Sequence, residues 1–256
     1  MKITQDLLLF PFHDEDWIKK AVIFGVVMFL GVFLIPLPLV SGYGLRLMRG
    51  VIKTGEPHLP DWDNLGEMYL DGLAQMVIGI VYLLPLYVLL CCGLIPFFMG
   101  PVFLSTVDDP SGWAVGGSIL GYAIAMLLFG LASMFGIAVQ FILYVALAHY
   151  VDTGDLGSAF KLREVWNILR ANLGHFVLAY AVYWGLSAGL GFVTQILVYT
   201  IVLICILPFL TVGVAFYVQA LLSTLYGLAY REAQEKLGAA LSGPDADQPL
   251  PGMTGE

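Results

Sequence analysis

Apolar runs of about 20 residues recur along this chain, and no other feature constrains its fold as strongly. A helix of that length crosses a hydrocarbon core of about 30 Å at 1.5 Å per residue. With 59% hydrophobic and 12% charged residues in 256, the chain has about half the charge of a soluble domain. The pattern predicts an all-α, polytopic integral membrane bundle. Short segments of strict alternation, which a β-barrel needs, are absent. The net charge of −8 is the wrong sign for a nucleic-acid binder. Cys91, Cys92 and Cys205 all lie in apolar runs, and no pair of them suggests a disulfide framework or a CxxC metal site. Lys19-Lys20 and the apolar run after them have the outline of a signal peptide. Asp14, Glu15 and Asp16 in front, and further spans behind, read instead as a retained first helix.

Three segments end alike: SGYGLRLMRGVIKTGE (41–56), FILYVALAHYVDTGDL (141–156) and TLYGLAYREAQEKLG (224–238). Each runs out of an apolar helix through a tyrosine into charge. The first two share Thr-Gly-acid, at Thr54-Gly55-Glu56 and Thr153-Gly154-Asp155. Three others begin alike: DEDWIKKAVIFGV (14–26), DWDNLGEMYLDGLAQMVIGI (61–80) and FKLREVWNILRANLGHFVLAY (160–180). Each is a short amphipathic stretch with a tryptophan, leading into an apolar helix. The simplest unit is a cytoplasmic lead-in helix and two spans, repeated three times. The hairpins cover about 14–56, 61–156 and 158–236, in one membrane domain of residues 1–238 with a disordered cytoplasmic tail at 239–256.

This unit predicts six spans, at about 18–35, 37–53, 70–93, 113–149, 172–190 and 196–231. Pro36 and Pro38 turn the first hairpin, residues 100–113 the second and GLGF (189–192) the third, with Pro208 kinking the last helix. Charge supports the count. With the N-terminus in the cytoplasm, all 11 Lys and Arg fall on the cytoplasmic side, and the outer turns hold only Asp108 and Asp109. Both termini are then cytoplasmic, in the cell membrane. Helix 37–53 is only about 25 Å long. Arg46 would sit near mid-depth unless the first hairpin is short, tilted or partly re-entrant.

The stretch from Gly42 to Leu73, GYGLRLMRGVIKTGEPHLPDWDNLGEMYLDGL, resembles the signature of the domain of unknown function 4013 family. The positions that carry the resemblance are Gly42, Tyr43, Arg46, Arg49, Leu59, Pro60, Asp61, Trp62, Asp63, Asp71 and Gly72. DEDWIKK resembles the family's start, and the likeness runs over most of residues 1–235. It implies a multi-pass membrane protein of bacterial or archaeal type, in a family with no assigned activity or ligand.

Residues 54–73 hold five acids, one histidine and no base. Asp63, Glu67 and Asp71 recur at i, i+4, i+8 and form one acidic stripe on a helix, with Asn64 and Glu67 fitting a capping box. We read them, with Asp61, as charge partners for Arg46, Arg49, Arg163 and Arg170 in a cytoplasmic belt. Trp17, Trp62 and Trp166 are the interfacial anchors, expected at similar depth near the headgroups. His58, Asp61 and Asp63 lack real metal-ligand spacing. Gly185-Leu-Ser187-Ala-Gly189 matches G-x-S-x-G, but inside an apolar helix, where small residues let helices approach. His175 lies about 18 Å from Ser187 along that helix. Gly117-x-x-x-Gly121 reads as packing in the same way. Gln140, Gln195 and Gln219 read as interhelical hydrogen-bonding groups, with the lining of a solute path as the alternative. The sequence thus points to a non-enzymatic scaffold or accessory subunit with no cofactor, whose partners are the bilayer and other membrane proteins. A transporter or lipid-handling protein with a path between the hairpins is the runner-up.

Overall fold

The structure, a computed structural model, describes residues 5–31, 36–106, 112–198 and 207–241. Among them are eight α-helices and no strand: α1 (Gln5–His13), α2 (Trp17–Leu30), α3 (Leu37–Thr54), α4 (Leu65–Thr106), α5 (Gly112–Thr153), α6 (Leu162–Ala171), α7 (Leu173–Val198) and α8 (Leu207–Leu241). A 3-10 turn, Leu156–Phe160, precedes α6. Four of the described helices are long and apolar enough to cross a membrane: α4, α5, α7 and α8. In the most apolar stretch of α4, α5 and α7 only 11% of residues are buried, against 44% in α8. Such apolar surface is not left to water, so these helices are embedded in lipid.

The chain packs as two compact units, Met1–Met76 with Val145–Glu256, and Val77–Tyr144. In the first, α8 is the axis. Helix α3 runs beside it, with Gly44 against Gln219 and Gly227 against Val51. The start of α4 crosses α3 in antiparallel register. Gly42 lies against the Met68 carbonyl, and Gly72 against the Pro38 carbonyl. A Cβ at either glycine would meet backbone, which cannot yield as a side chain can. This explains two of the positions that carry the family signature. Phe24, Tyr43, Val51, Met68 and Phe216 form the buried core around that crossing. In lipid their contribution is close packing, since the surrounding tails are as apolar as they are.

The second unit is a hairpin. Phe97 makes edge contacts with Tyr122 and Phe129, at centroid distances of 5.8 and 6.0 Å. Gly93 admits the Phe129 ring, and Ser118 Oγ donates to the Gly100 carbonyl at 3.4 Å. Cys91 and Cys92 are exposed on this hairpin, whereas Cys205 lies outside the described residues.

Several boundaries differ from expectation. Helix α7 continues through 189–192 to Val198, so the turn expected at GLGF does not form there. Its glycines are tolerated because a membrane helix must keep its own backbone bonds. Pro208 does not kink α8 but stands in its first turn, where the missing N–H costs nothing. Helix α4 runs to Thr106, past the expected turn start at 100, with Pro85, Pro96 and Pro101 inside it. Helices α4 and α5 have 42 residues each, about 63 Å of helix and twice the hydrocarbon thickness. The lead-in at 61–69 is no separate helix, because it merges into α4; α6 is separate. Asn64 adopts φ 48°, in the left-handed region, so the expected capping box does not form. The expected tail at 239–256 falls mostly outside the described residues, and α8 reaches Leu241.

Candidate functional site

Two polar clusters close the helix ends of the first unit. The first begins at the α3 terminus. Gly55, at φ 82°, ends α3 and donates its amide to the Val51 carbonyl at 2.8 Å. This left-handed cap, favoured by glycine, turns the chain sharply into residues 56–64. The return places Asp63 against Arg46 of α3 and brings the first turns of α4, with Asp71, against Arg49. Arg49 reaches Asp71 with both terminal guanidinium nitrogens, at 2.7 and 3.1 Å. This fork-on-fork geometry is the strongest form of such a pair. Tyr150 of α5 donates to the same carboxylate at 3.2 Å. Arg46 pairs with Asp63 Oδ1 at 2.7 Å and also donates to the Asp63 carbonyl at 2.6 Å.

The third node is not legible in the sequence. Lys20, buried at 6% exposure, donates to Asp14 Oδ2 at 2.8 Å and to the Leu59 carbonyl at 3.0 Å, and lies 3.1 Å from Asp61 Oδ1. Three ammonium donors meet three acceptors, so the buried charge is fully satisfied. Trp62 closes the node from above: its indole donates to the Lys20 carbonyl at 3.2 Å and its ring stacks on Tyr43 at 4.7 Å. Burial pushes the Asp14 carboxyl up, but the Lys20 ammonium and the Asp16 amide outweigh it, leaving the group below its ordinary value. The one sequence signal for this node is a lysine just inside the first apolar run.

The second cluster follows the same cap. Gly154, at φ 71°, donates to the Tyr150 carbonyl at 2.8 Å. Thr54 Oγ1 donates to the Gly50 carbonyl and Thr153 Oγ1 to the His149 carbonyl, four residues back in each case. The Thr-Gly-acid repeat is therefore one capping structure used twice. Beyond it the chemistry changes. Tyr230, fully buried on α8, donates to Asp152 at 3.0 Å and accepts from Gln234 at 2.7 Å. His149 Nδ1 lies 2.9 Å from the same hydroxyl. Nε2 faces Glu164 of α6 at 3.2 Å, and that contact, with Lys161, holds the Glu164 carboxyl below its ordinary value.

The family model described as a protein of unknown function (DUF4013) matches residues 25–205. The chain belongs to the DUF4013 family. No curated protein and no solved structure matches it. The matched part of the DUF4013 chain holds Arg46, Arg49, Asp61, Asp63 and Asp71, while Asp14 and Lys20 precede it and Tyr230 follows it.

The remaining residues singled out in the DUF4013 sequence take separate places. Glu67 is exposed, and among the described residues it makes no direct ion pair. Arg163 is exposed on α6, and Arg170 lies over the Trp166 ring at 4.9 Å, not against the acids. Trp17 and Trp62 pack on the same core, whereas Trp166 is 45% exposed. Gln140 is half-buried in the second unit, Gln195 is exposed on α7, and the Gln219 amide sits against Gly44. Among the described residues no group of three or more His, Cys, Asp and Glu is placed to hold a metal.

Proposed function

We propose that this DUF4013 chain is a non-enzymatic integral protein of the cell membrane that serves as a scaffold or accessory subunit. The observation that carries this reading is how the belt's charges are used. Arg46, Arg49 and Lys20 are all spent on acceptors within the chain, each joining segments distant in sequence. Groups committed in this way fix helices to one another and are not poised for chemistry. We further infer six spans, with α2 and α3 as a short first hairpin beside the four longer helices, arranged as three hairpins with both termini in the cytoplasm. The cytoplasmic bias of Lys and Arg supports that orientation.

Affinity purification of the full chain in mild detergent, with mass spectrometry of bound proteins and lipids, tests the scaffold reading. A stoichiometric membrane-protein partner is expected. Solute flux through proteoliposomes of the chain alone would replace it with a transporter. For topology, single cysteines at Ser111 and at exposed Lys161, in a cysteine-free background, should label from opposite sides. Labelling of position 161 from outside overturns the orientation.

A further inference from the structure

A cleft of ≈ 410 Å³ opens in the first unit between α1, α2, α7 and α8. Phe12, Trp17, Leu190, Leu210, Gly213 and Tyr217 are among its walls. Its volume is within the range of sites that take small organic ligands. Two of its walls, α7 and α8, are helices long and apolar enough to cross a membrane, so the medium it opens to is lipid. The aromatic rim is held in place. Tyr217 donates to the Leu8 carbonyl at 3.1 Å, tying α1 to α8, and Phe12 stacks on Tyr217 at 5.8 Å and meets Trp17 edge-on at 5.2 Å.

One polar group on this rim is unspent. Trp62 commits its indole N–H to the Lys20 carbonyl. The indole N–H of Trp17, which is half-buried in the cleft wall, donates to no described residue. An apolar cleft with a single N–H donor at its edge matches an amphiphile that has one acceptor where its hydrocarbon begins. We propose that the cleft holds one acyl chain of a membrane phospholipid, with the Trp17 indole donating to the ester carbonyl. A fatty acid offers the same hydrocarbon, but the phospholipid is the abundant source in the bilayer that surrounds α7 and α8. The proposal rests on membrane embedding and is independent of the scaffold reading.

Gly213 provides the test. Gly213 lines the cleft, and a Cβ there would meet nothing within 4 Å, so a larger side chain can start from this position without a clash at its first atom. The full chain is placed in vesicles of phosphatidylethanolamine and phosphatidylglycerol containing a phospholipid with a diazirine in its acyl chain. Labelled sites are mapped by mass spectrometry. Labelling at Phe12, Trp17 and Leu210 should saturate and be competed by unlabelled phospholipid. Labelling of exposed α4 positions such as Tyr87 and Val88 should not saturate. In Gly213→Phe the cleft labelling should fall by about tenfold, the effect of losing roughly two buried methylenes, with α4 labelling unchanged. Trp17→Phe keeps the ring and removes the donor, and should weaken competition by about fivefold, as for one hydrogen bond. Cleft labelling that rises in parallel with α4, without saturation, overturns the proposal. So do cleft residues found cross-linked to another segment of the chain or to a second copy. If Gly213→Phe does not fold, the wild-type saturation curve decides alone. Competition by free fatty acid but not by phospholipid also overturns the stated occupant.

Discussion

The two polar clusters begin from the same capped helix end and solve the same problem with different chemistry. At the α3 end the partners are full charges, in part reached by solvent: Arg49 is 31% and Asp71 15% exposed. At the α5 end the centre is a fully buried hydroxyl, Tyr230, surrounded by His149, Asp152 and Gln234. Unpaired charge is costly away from water, and the cost falls where headgroups and water reach it. A buried centre is therefore built from a neutral group whose donor and acceptors are all matched, while the accessible belt uses ion pairs. Lys20 is the exception that sharpens the comparison. It is a buried charge, and it is tolerated because each of its three donors has an acceptor.

Lys20→Met should therefore have the largest effect. It takes the ammonium partner from the Asp14 carboxylate and from the Leu59 carbonyl in a buried site, and should cost about 3–5 kcal/mol, read as thermal stability in detergent. The acid response adds a second reading. A carboxyl held below its ordinary value contributes stability above about pH 4, and that stability is lost as pH falls further. The wild type should lose stability in that range. In Lys20→Met this acid loss should shrink, because burial then opposes the ionised acid with only the Asp16 amide and His58 left to favour it.

Arg49→Ala ranks next, at about 2–3 kcal/mol, because the bidentate pair is only partly buried. A cycle with Asp71→Asn should show clear coupling, and strict additivity would remove the pair from the account. Tyr230→Phe should cost about 1–2 kcal/mol and leave the acid response unchanged. A loss as large as that of Lys20→Met would show that the neutral cluster, not the charged belt, dominates the first unit. Arg46→Ala should have the smallest effect, about 0.2–1 kcal/mol, since Asp63 is 63% exposed. Its coupling should be to Asp63→Ala and not to Glu67→Ala.

Features that depend on a few neighbouring residues are legible from the sequence alone. The Pro36 start and the Gly55 stop fix α3 at Leu37–Thr54, one residue from the expected end. Both follow from backbone chemistry that a proline or glycine carries with it. Thr-Gly-acid is readable as a repeated turn for the same reason. The GLGF segment misleads because glycine punctuates helices in water but is tolerated in lipid, where a broken helix would leave carbonyls without partners. In the charge belt, the approach of the acids to Arg46 and Arg49 is readable from the short Pro-rich return. Which acid meets which arginine is not: Glu67 shares the stripe with Asp63 and Asp71 yet stays exposed.

The sequence by itself determined that this is a helical chain for lipid, because uninterrupted apolar length has one solution where backbone groups must bond within their own segment. It also determined the glycine-capped ends of α3 and α5, since these depend on residues only a few positions apart. Only the tertiary structure decided that Lys20 is a shared node, that Trp17 and Trp62 serve one core while Trp166 does not, and that Gly42 and Gly72 admit a crossing helix. These outcomes depend on contacts between residues tens of positions apart. Their geometry is set by how helices cross, and periodicity along one helix carries no record of its neighbour.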